Sequence, residues 1–247
     1  MRMLSQCFLG LCLVAGLYLA GQQIGRGGTH WKNDVRTVTV KGLVEKEVKA
    51  DQAVWKLSFR RASGNLGEAQ TQIKTDKEAV LVFLQQQGFK PEEISQLPTR
   101  TVDKMANEYG NNNQNEDKLR YVLVGQVLVT TTQVDRVKDA LEKTDQLQAG
   151  GVVLDISQDN GANPRFNLSK FNELRPQLLA QATQNGRETA EQFAASAGVK
   201  VGKLRSANQG VIQIFGADGQ DESGGYSATS SIQKKVRVVS SFEFDLK

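Results

Sequence analysis

Four stretches of this chain alternate apolar with polar residues, and that period of two limits what it can fold into more than any other feature. Val38, Val40, Gly42 and Val44 share one side of the first. In the second, Ala53, Trp55, Leu57 and Phe59 oppose Lys56, Ser58 and Arg60. Tyr121, Leu123, Val127 and Val129 share a side of the third, and Val236, Val238, Phe242, Phe244 and Leu246 a side of the last. Each reads as a half-buried strand. The charged stretch 45–51 between the first two reads as a turn, so the pair is expected to form a hairpin.

Elsewhere the period lengthens. Leu66, Ala69, Ile73, Val80 and Leu84 recur at helical spacing, Gly88 fits the stop and Pro91 follows it. Residues 94–105 read as extended. The polar run 106–118, with Asn111, Asn112 and Asn113, reads as the tip of a long hairpin returning through 119–130. A short helix at 134–143, a strand at 152–156 and a turn at Asp159-Asn160-Gly161 come next. A long helix is expected over 169–197, with Phe171, Leu174, Leu178, Ala182, Phe193 and Ala197 as its apolar stripe. Pro176 falls in its first turns or marks its true start, and Gly198 ends it. Strands at 202–215 and 232–246, joined by a Gly- and Ser-rich loop, close the chain. The expected class is α+β: antiparallel strand pairs alternating with helices, one long helix in the C-terminal half, and an N-terminal apolar helix in front.

That N-terminal segment is the apolar run of residues 7–21, CFLGLCLVAGLYLAG, behind a stub that carries Arg2 and no acid. It is longer than the core of most signal peptides and shorter than a comfortable membrane span. Cutting after Ala20 or Gly21 places bulky Tyr18 or Leu19 at the −3 position, a poor cleavage site. The reading is a signal anchor in the inner membrane with the remainder in the periplasm, the alternative being a cleaved signal and a soluble periplasmic domain. Residues 1–28 are the leader, 29–35 a tether and 36–247 one domain.

Composition excludes more than it assigns. Thirty-one Lys and Arg against 27 Asp and Glu give a formal +4. The leader holds Arg2, Arg26 and no acid, so +2 remains beyond it. No basic cluster with interleaved aromatics supports nucleic-acid binding. Arg60–Arg61 is the one basic stretch weighed for anionic lipid. Both cysteines, Cys7 and Cys12, lie in the leader, and the only histidine is His30 beside it. Ser-His-Asp and Cys-His catalysis in their usual forms, an internal disulfide and His/Cys zinc sites therefore fall away.

The quoted pattern resembles a known family. TVTVKGLVEKEVKADQAVWKLSF (37–59) looks like the opening of a SIMPL domain, as do the helix of 66–94, the Ala-rich helix with its Gly-x-x-x-Gly exit (180–204) and the closing KKVRVVSSFEFDL (234–246). The resemblance implies a bacterial envelope protein, a SIMPL-like fold, and in some relatives large rings of channel-like shape or a link to oxidative-stress protection. It implies no catalytic residue, and no catalytic, cofactor or metal residue is assigned here.

The remaining candidates each have a plainer reading beside the functional one. Gly25-Arg26-Gly27-Gly28 follows no strand and reads as tether rather than phosphate loop. Asp218, Asp221 and Glu222 lack the spacing of a calcium loop. Asp103, Glu108, Glu116 and Asp117 would serve as acid and base only if burial tuned them. Asn167-Leu168-Ser169 is a glycosylation sequon. Trp55 is a core residue by its period, or else a partner anchor. Gly198 and Gly202 read as a cap and a turn. The leading expectation is a non-enzymatic, membrane-tethered periplasmic protein acting through homo-oligomerisation or an envelope partner. The others are a homo-oligomeric ring or channel-like body with loops 106–118 and 216–231 at its rim, and a hydrolase using carboxylates or Ser with Lys.

Overall fold

A computed structural model describes residues 16, 18, 22, 36–106, 119–155, 163–216 and 227–247 of the chain. Its elements run β1 (Thr37–Lys49), β2 (Gln52–Ser63), α1 (Leu66–Gln86), β3 (Ile94–Asp103), β4 (Tyr121–Thr131), α2 (Val134–Leu141), α3 (Asp145–Ala149), β5 (Arg165–Asn167), α4 (Phe171–Ser196), β6 (Val201–Gly216), α5 (Ser227–Ser230) and β7 (Gln233–Leu246). They belong to two compact units. The smaller comprises Met1–Gly42, Ala182–Gly210 and Ser240–Lys247; the larger comprises Leu43–Gln181 and Val211–Val239.

The expected architecture of strand pairs alternating with helices is corrected. The chain is built on two sheets, with strand orders β3-β4-β2-β5 and β1-β7-β6. β1 and β2 form no hairpin, because they belong to different sheets. The charged stretch read as a turn continues β1 to Lys49, with Glu45, Glu47 and Lys49 exposed. β1 lies at the edge of its sheet, where solvated charges are tolerated and discourage stray pairing. The expected strand at 152–156 is also corrected: Leu154 makes an isolated bridge to Phe59, and the fourth strand of the larger sheet is β5. The N-terminal apolar helix is not among the described elements, and most of residues 7–21 lie outside the described residues. Among the described residues no helix is long and apolar enough to cross a membrane.

In the larger unit β2 pairs antiparallel with β4 along its length, from Ala53 opposite Thr131 to Ser63 opposite Tyr121. α1 starts where Asn65 accepts hydrogen bonds from the N–H groups of Gly67 (2.8 Å) and Glu68 (3.3 Å). It buries Ala69, Ile73, Asp76, Val80, Phe83 and Leu84. With Trp55, Leu57 and Phe59 of β2 and Val127 and Val129 of β4, these apolar residues make the core, each worth roughly 1.5–3 kcal/mol for a large side chain. The helix ends at Gly88, whose φ of 84° suits glycine; Gly88 N–H bonds Gln85 O and Phe89 N–H bonds Leu84 O.

Asp51 joins β1 to β2. Its carboxylate accepts from the Ser169 N–H (2.6 Å), the Ser169 hydroxyl (2.9 Å) and the Lys170 N–H (2.8 Å), just ahead of α4. Partial burial pushes this carboxyl up, but the Lys170 and Ser169 donors outweigh that and hold it below the usual carboxylate range. A carboxyl whose pKa is depressed on folding stabilises the fold above its unfolded value and loses that contribution as pH falls through the folded one. Asp51→Asn is therefore expected to melt below the wild type at neutral pH, with the gap closing as pH drops below about 4. Thermal melts across that range check it; a gap that stays constant with pH would rule the linkage out.

The smaller unit is organised by close approach. The part of α4 in this unit turns Ala182, Gly186, Ala190 and Ala194 inward at every fourth position. Its core holds Val40, Ala190, Phe242 and Phe244. A Cβ on Gly42 would fall 1.9 Å from the Ala182 carbonyl oxygen, and one on Gly186 would fall 2.4 Å from the Phe242 ring. The sequence-based stripe is corrected here: Phe193 is 60% exposed, because it precedes Ala194 by about 100° around the helix.

Candidate functional site

The carboxylates weighed for catalysis do not assemble a pair among the described residues. Asp103, at the end of β3, accepts from Arg120 Nε (2.9 Å) and Nη2 (2.8 Å), and Arg120 lies 5.0 Å over the Tyr121 ring. The Arg120 hydrogen bonds hold Asp103 below the ordinary carboxylate range, so it is spent on a strand-end ion pair rather than poised as an acid or base. Glu108, Glu116 and Asp117 lie outside the described residues, as do Asp218, Asp221, Glu222, His30 and Gly25 to Gly28. Among the described residues no group of three or more His, Cys, Asp or Glu is placed to hold a metal. Trp55 is 1% exposed within the core. Asn167 is half-buried on β5 and its carbonyl accepts the Asp51 N–H. Gly198, with φ 71°, closes α4, and Gly202 lies against Asp245.

Both basic residues weighed for lipid are paired. Arg60 Nη2 bonds Asp155 Oδ2 at 2.7 Å. Arg61 grips Asp76 with two bonds, Nε to Oδ2 at 2.6 Å and Nη2 to Oδ1 at 2.8 Å, and donates to Gly151 O. Asp76 is 4% exposed on the buried stripe of α1. Its hydrogen bond to Arg61 raises the guanidinium pKa. The sequence reading missed this pair. An acid three residues after Ile73, on the stripe that goes on to Val80, was the available signal.

A cavity of about 340 Å³ in the larger unit is lined by Lys56, Ser58, Thr144, Gln148, Asp155 and Asn163 among others. Asp155 is already bonded to Arg60, and its N–H to the Ser58 carbonyl.

The surface that stands out is β6. Among the described residues its one sheet neighbour is β7. Lys200 and Lys247 exchange both backbone bonds at 2.8 Å, which makes the pairing antiparallel and fixes its phase. Residues 203–211 are exposed without interruption on both faces of the strand, Leu204 at 46% and Val211 at 74%. Val201–Gly216 contains no proline and no acid. Proline, bulges and charge are the usual protection for an edge strand, and β6 carries only Lys203 and Arg205. The sequence placed a strand here; the lack of alternation in KLRSANQGV was the sign that neither face is covered.

The family model for SIMPL, described as a protein of unknown function (DUF541), matches residues 38–242, from β1 into β7. The chain belongs to the SIMPL family. The SIMPL match thus takes in both sheets. No curated protein matches the chain. Among solved structures, a crystal structure of a hydrolase from Listeria innocua is similar at 8% identity and a TM-score of 0.20, covering 82% of this SIMPL chain and 91% of that one. A likeness at that level carries no argument about the fold or the chemistry of this SIMPL protein.

Proposed function

We propose that this SIMPL domain is an exported, non-enzymatic module of the cell envelope that works by self-assembly or by holding a protein partner. The observation that carries the reading is the exposed strand β6, whose one sheet neighbour among the described residues is β7 and which carries few of the usual edge guards. Two sequence features support it. The apolar run 7–21 behind Arg2 is an export address that puts the domain on the periplasmic side. Residues 36–247 hold no histidine and no cysteine, the commonest nucleophile and base outside the hydroxyl and carboxyl groups. In this reading the protein contributes to envelope upkeep, including protection under oxidative stress, through contacts rather than turnover.

Light scattering on the detergent-extracted full chain tests it. A discrete multiple of 27.1 kDa is expected if the module self-assembles, and a monomer that co-purifies with one envelope protein if it holds a partner. A monomer with no partner at any concentration would end the reading. A reporter active only in the periplasm, fused after Lys247, is expected to be active; activity confined to a cytoplasmic reporter would overturn the location.

A further inference from the structure

In the larger unit, β2 is paired with β4 along one edge without a break from Ala53 to Ser63. Its other edge is interrupted. β5 covers Gln52 to Val54 at one end. The bridge between Phe59 and Leu154 covers the other, where the Arg60 N–H donates to the Val153 carbonyl (2.9 Å) and the Asp155 N–H to the Ser58 carbonyl (2.8 Å). Between these two, among the described residues, no strand pairs with Lys56 on that edge. Backbone groups alternate between the edges of a regular strand, so Lys56 turns its N–H and C=O the same way as Ser58 and Arg60, into the gap. The gap opens on the cavity of about 340 Å³ that Lys56 and Leu57 line with Gln148 and Asn163. A second cavity of about 440 Å³ shares Leu141 and Asn163 with it and is walled by Pro164, Phe166 and Ile232.

The charge at the gap is positive. Lys56 is half-buried and stands opposite Leu128, with Gln126 and Thr130 on the diagonals, so no acid faces it from β4. No ion pair among the described residues includes Lys56. Asp155, the acid in the wall of the smaller cavity, is bonded to Arg60.

We infer that this gap binds a short N-acylated peptide carboxylate with an apolar side chain, the size of an acyl-amino acid or acyl-dipeptide. The outward N–H and C=O of Lys56 ask for an acceptor and a donor on one residue, which is what an antiparallel peptide residue supplies. The Lys56 ammonium asks for a carboxylate within reach of a charge-assisted bond. Acylation of the ligand's amine keeps a second cation away from Lys56. The wall of Leu141, Phe166 and Ile232 takes the apolar side chain. From Val54 to Ser58 is four residues of rise, about 13 Å, so two or three residues fit between the flanking pairs and a long added strand does not.

Trp55 lines the smaller cavity, and Trp31 is the chain's other tryptophan. The full chain with Trp31→Phe, held in phosphatidylcholine nanodiscs without free detergent, therefore reports binding through Trp55 emission. N-acetyl-leucyl-leucine is expected to change that emission saturably. Its C-terminal amide is expected to bind at least tenfold more weakly. Decanoate, which keeps the anion and an apolar chain but has no peptide unit, is expected to be weaker by a similar factor. Lys56→Gln is expected to weaken the acid at least tenfold and leave the amide unchanged, with a melting midpoint near wild type. No saturable change, or equal binding of acid and amide, would overturn the proposal. Decanoate binding as tightly as the peptide would show a cavity for anions in general and overturn it too. Amide exchange followed by NMR in lysine-labelled protein needs no variant at Lys56. The Lys56 N–H is expected to exchange fast in the free protein and at least tenfold more slowly with N-acetyl-leucyl-leucine bound; slow exchange without ligand would mean that the gap is already closed.

Discussion

Gly42→Ala is expected to lower the unfolding free energy by about 3 kcal/mol or more, at the upper end of what overpacking costs. The added methyl would fall 1.9 Å from the carbonyl oxygen of Ala182 and 2.9 Å from the Phe242 ring. The first of these is a helix backbone atom, which cannot rotate aside as a side chain can. To admit the methyl, α4 must lift from β1, and lifting opens the contact between Gly186 and the Phe242 ring as well. Gly67→Ala is the control. Its nearest neighbour would be Asn65 Oδ1 at 3.3 Å, at the exposed start of α1, and it is expected to change stability by less than about 1 kcal/mol. Urea unfolding followed by circular dichroism distinguishes the two. Equal midpoints for the two variants would mean that strand and helix are not in the contact described.

The second large effect is at Arg61 and Asp76. Arg61→Met leaves the Asp76 carboxylate, 4% exposed, buried beneath α1 with its doubly bonded partner gone. Breaking a buried pair from one side costs about 3–5 kcal/mol. The low end applies here, since the Arg61 side chain keeps 28% of its surface in solvent and part of the pair's attraction is screened. The double variant Arg61→Met with Asp76→Leu removes both charges and keeps apolar volume, and is expected to recover most of the loss. A double-mutant cycle by denaturant melts reads the coupling directly. Additive single effects would show that the two side chains do not act as a pair.

What could be read from the chain alone was local. The shared face of Val236, Val238, Phe242 and Phe244 and the stripe through Ala69, Ile73, Val80 and Leu84 are both buried as their periods require. Gly88 and Gly198 end their helices because positive φ is a local demand that glycine meets without strain. What could not be read was partner choice. Nothing in 45–51 distinguishes a charged turn from a charged edge strand until β7 is there to pair with it. Phe193 looked buried because a 3.6-residue period tolerates either neighbour of a stripe. Small Ala182 and Gly186 hold inward positions where Gly42 and the Phe242 ring come close. Asp76 was passed over because its partner lies 15 residues back on another element. The β6 edge follows the same rule: the strand was legible, but its having one neighbour among the described residues belongs to the sheet rather than to the segment.

The order β1-β7-β6 carries a kinetic consequence. Both outer strands of that sheet depend on β7, and β7 follows every other described element in the chain. β1 waits for a partner that follows every other described element. Pairings at such separation form slowly, because a large loop must close before any contact repays it. The nascent chain thus carries β1 without its sheet neighbour until β7 is made, and a chain cut short before Gln233 has two strands without the neighbour that joins them. The fourteen residues of β7 decide whether the sheet exists at all.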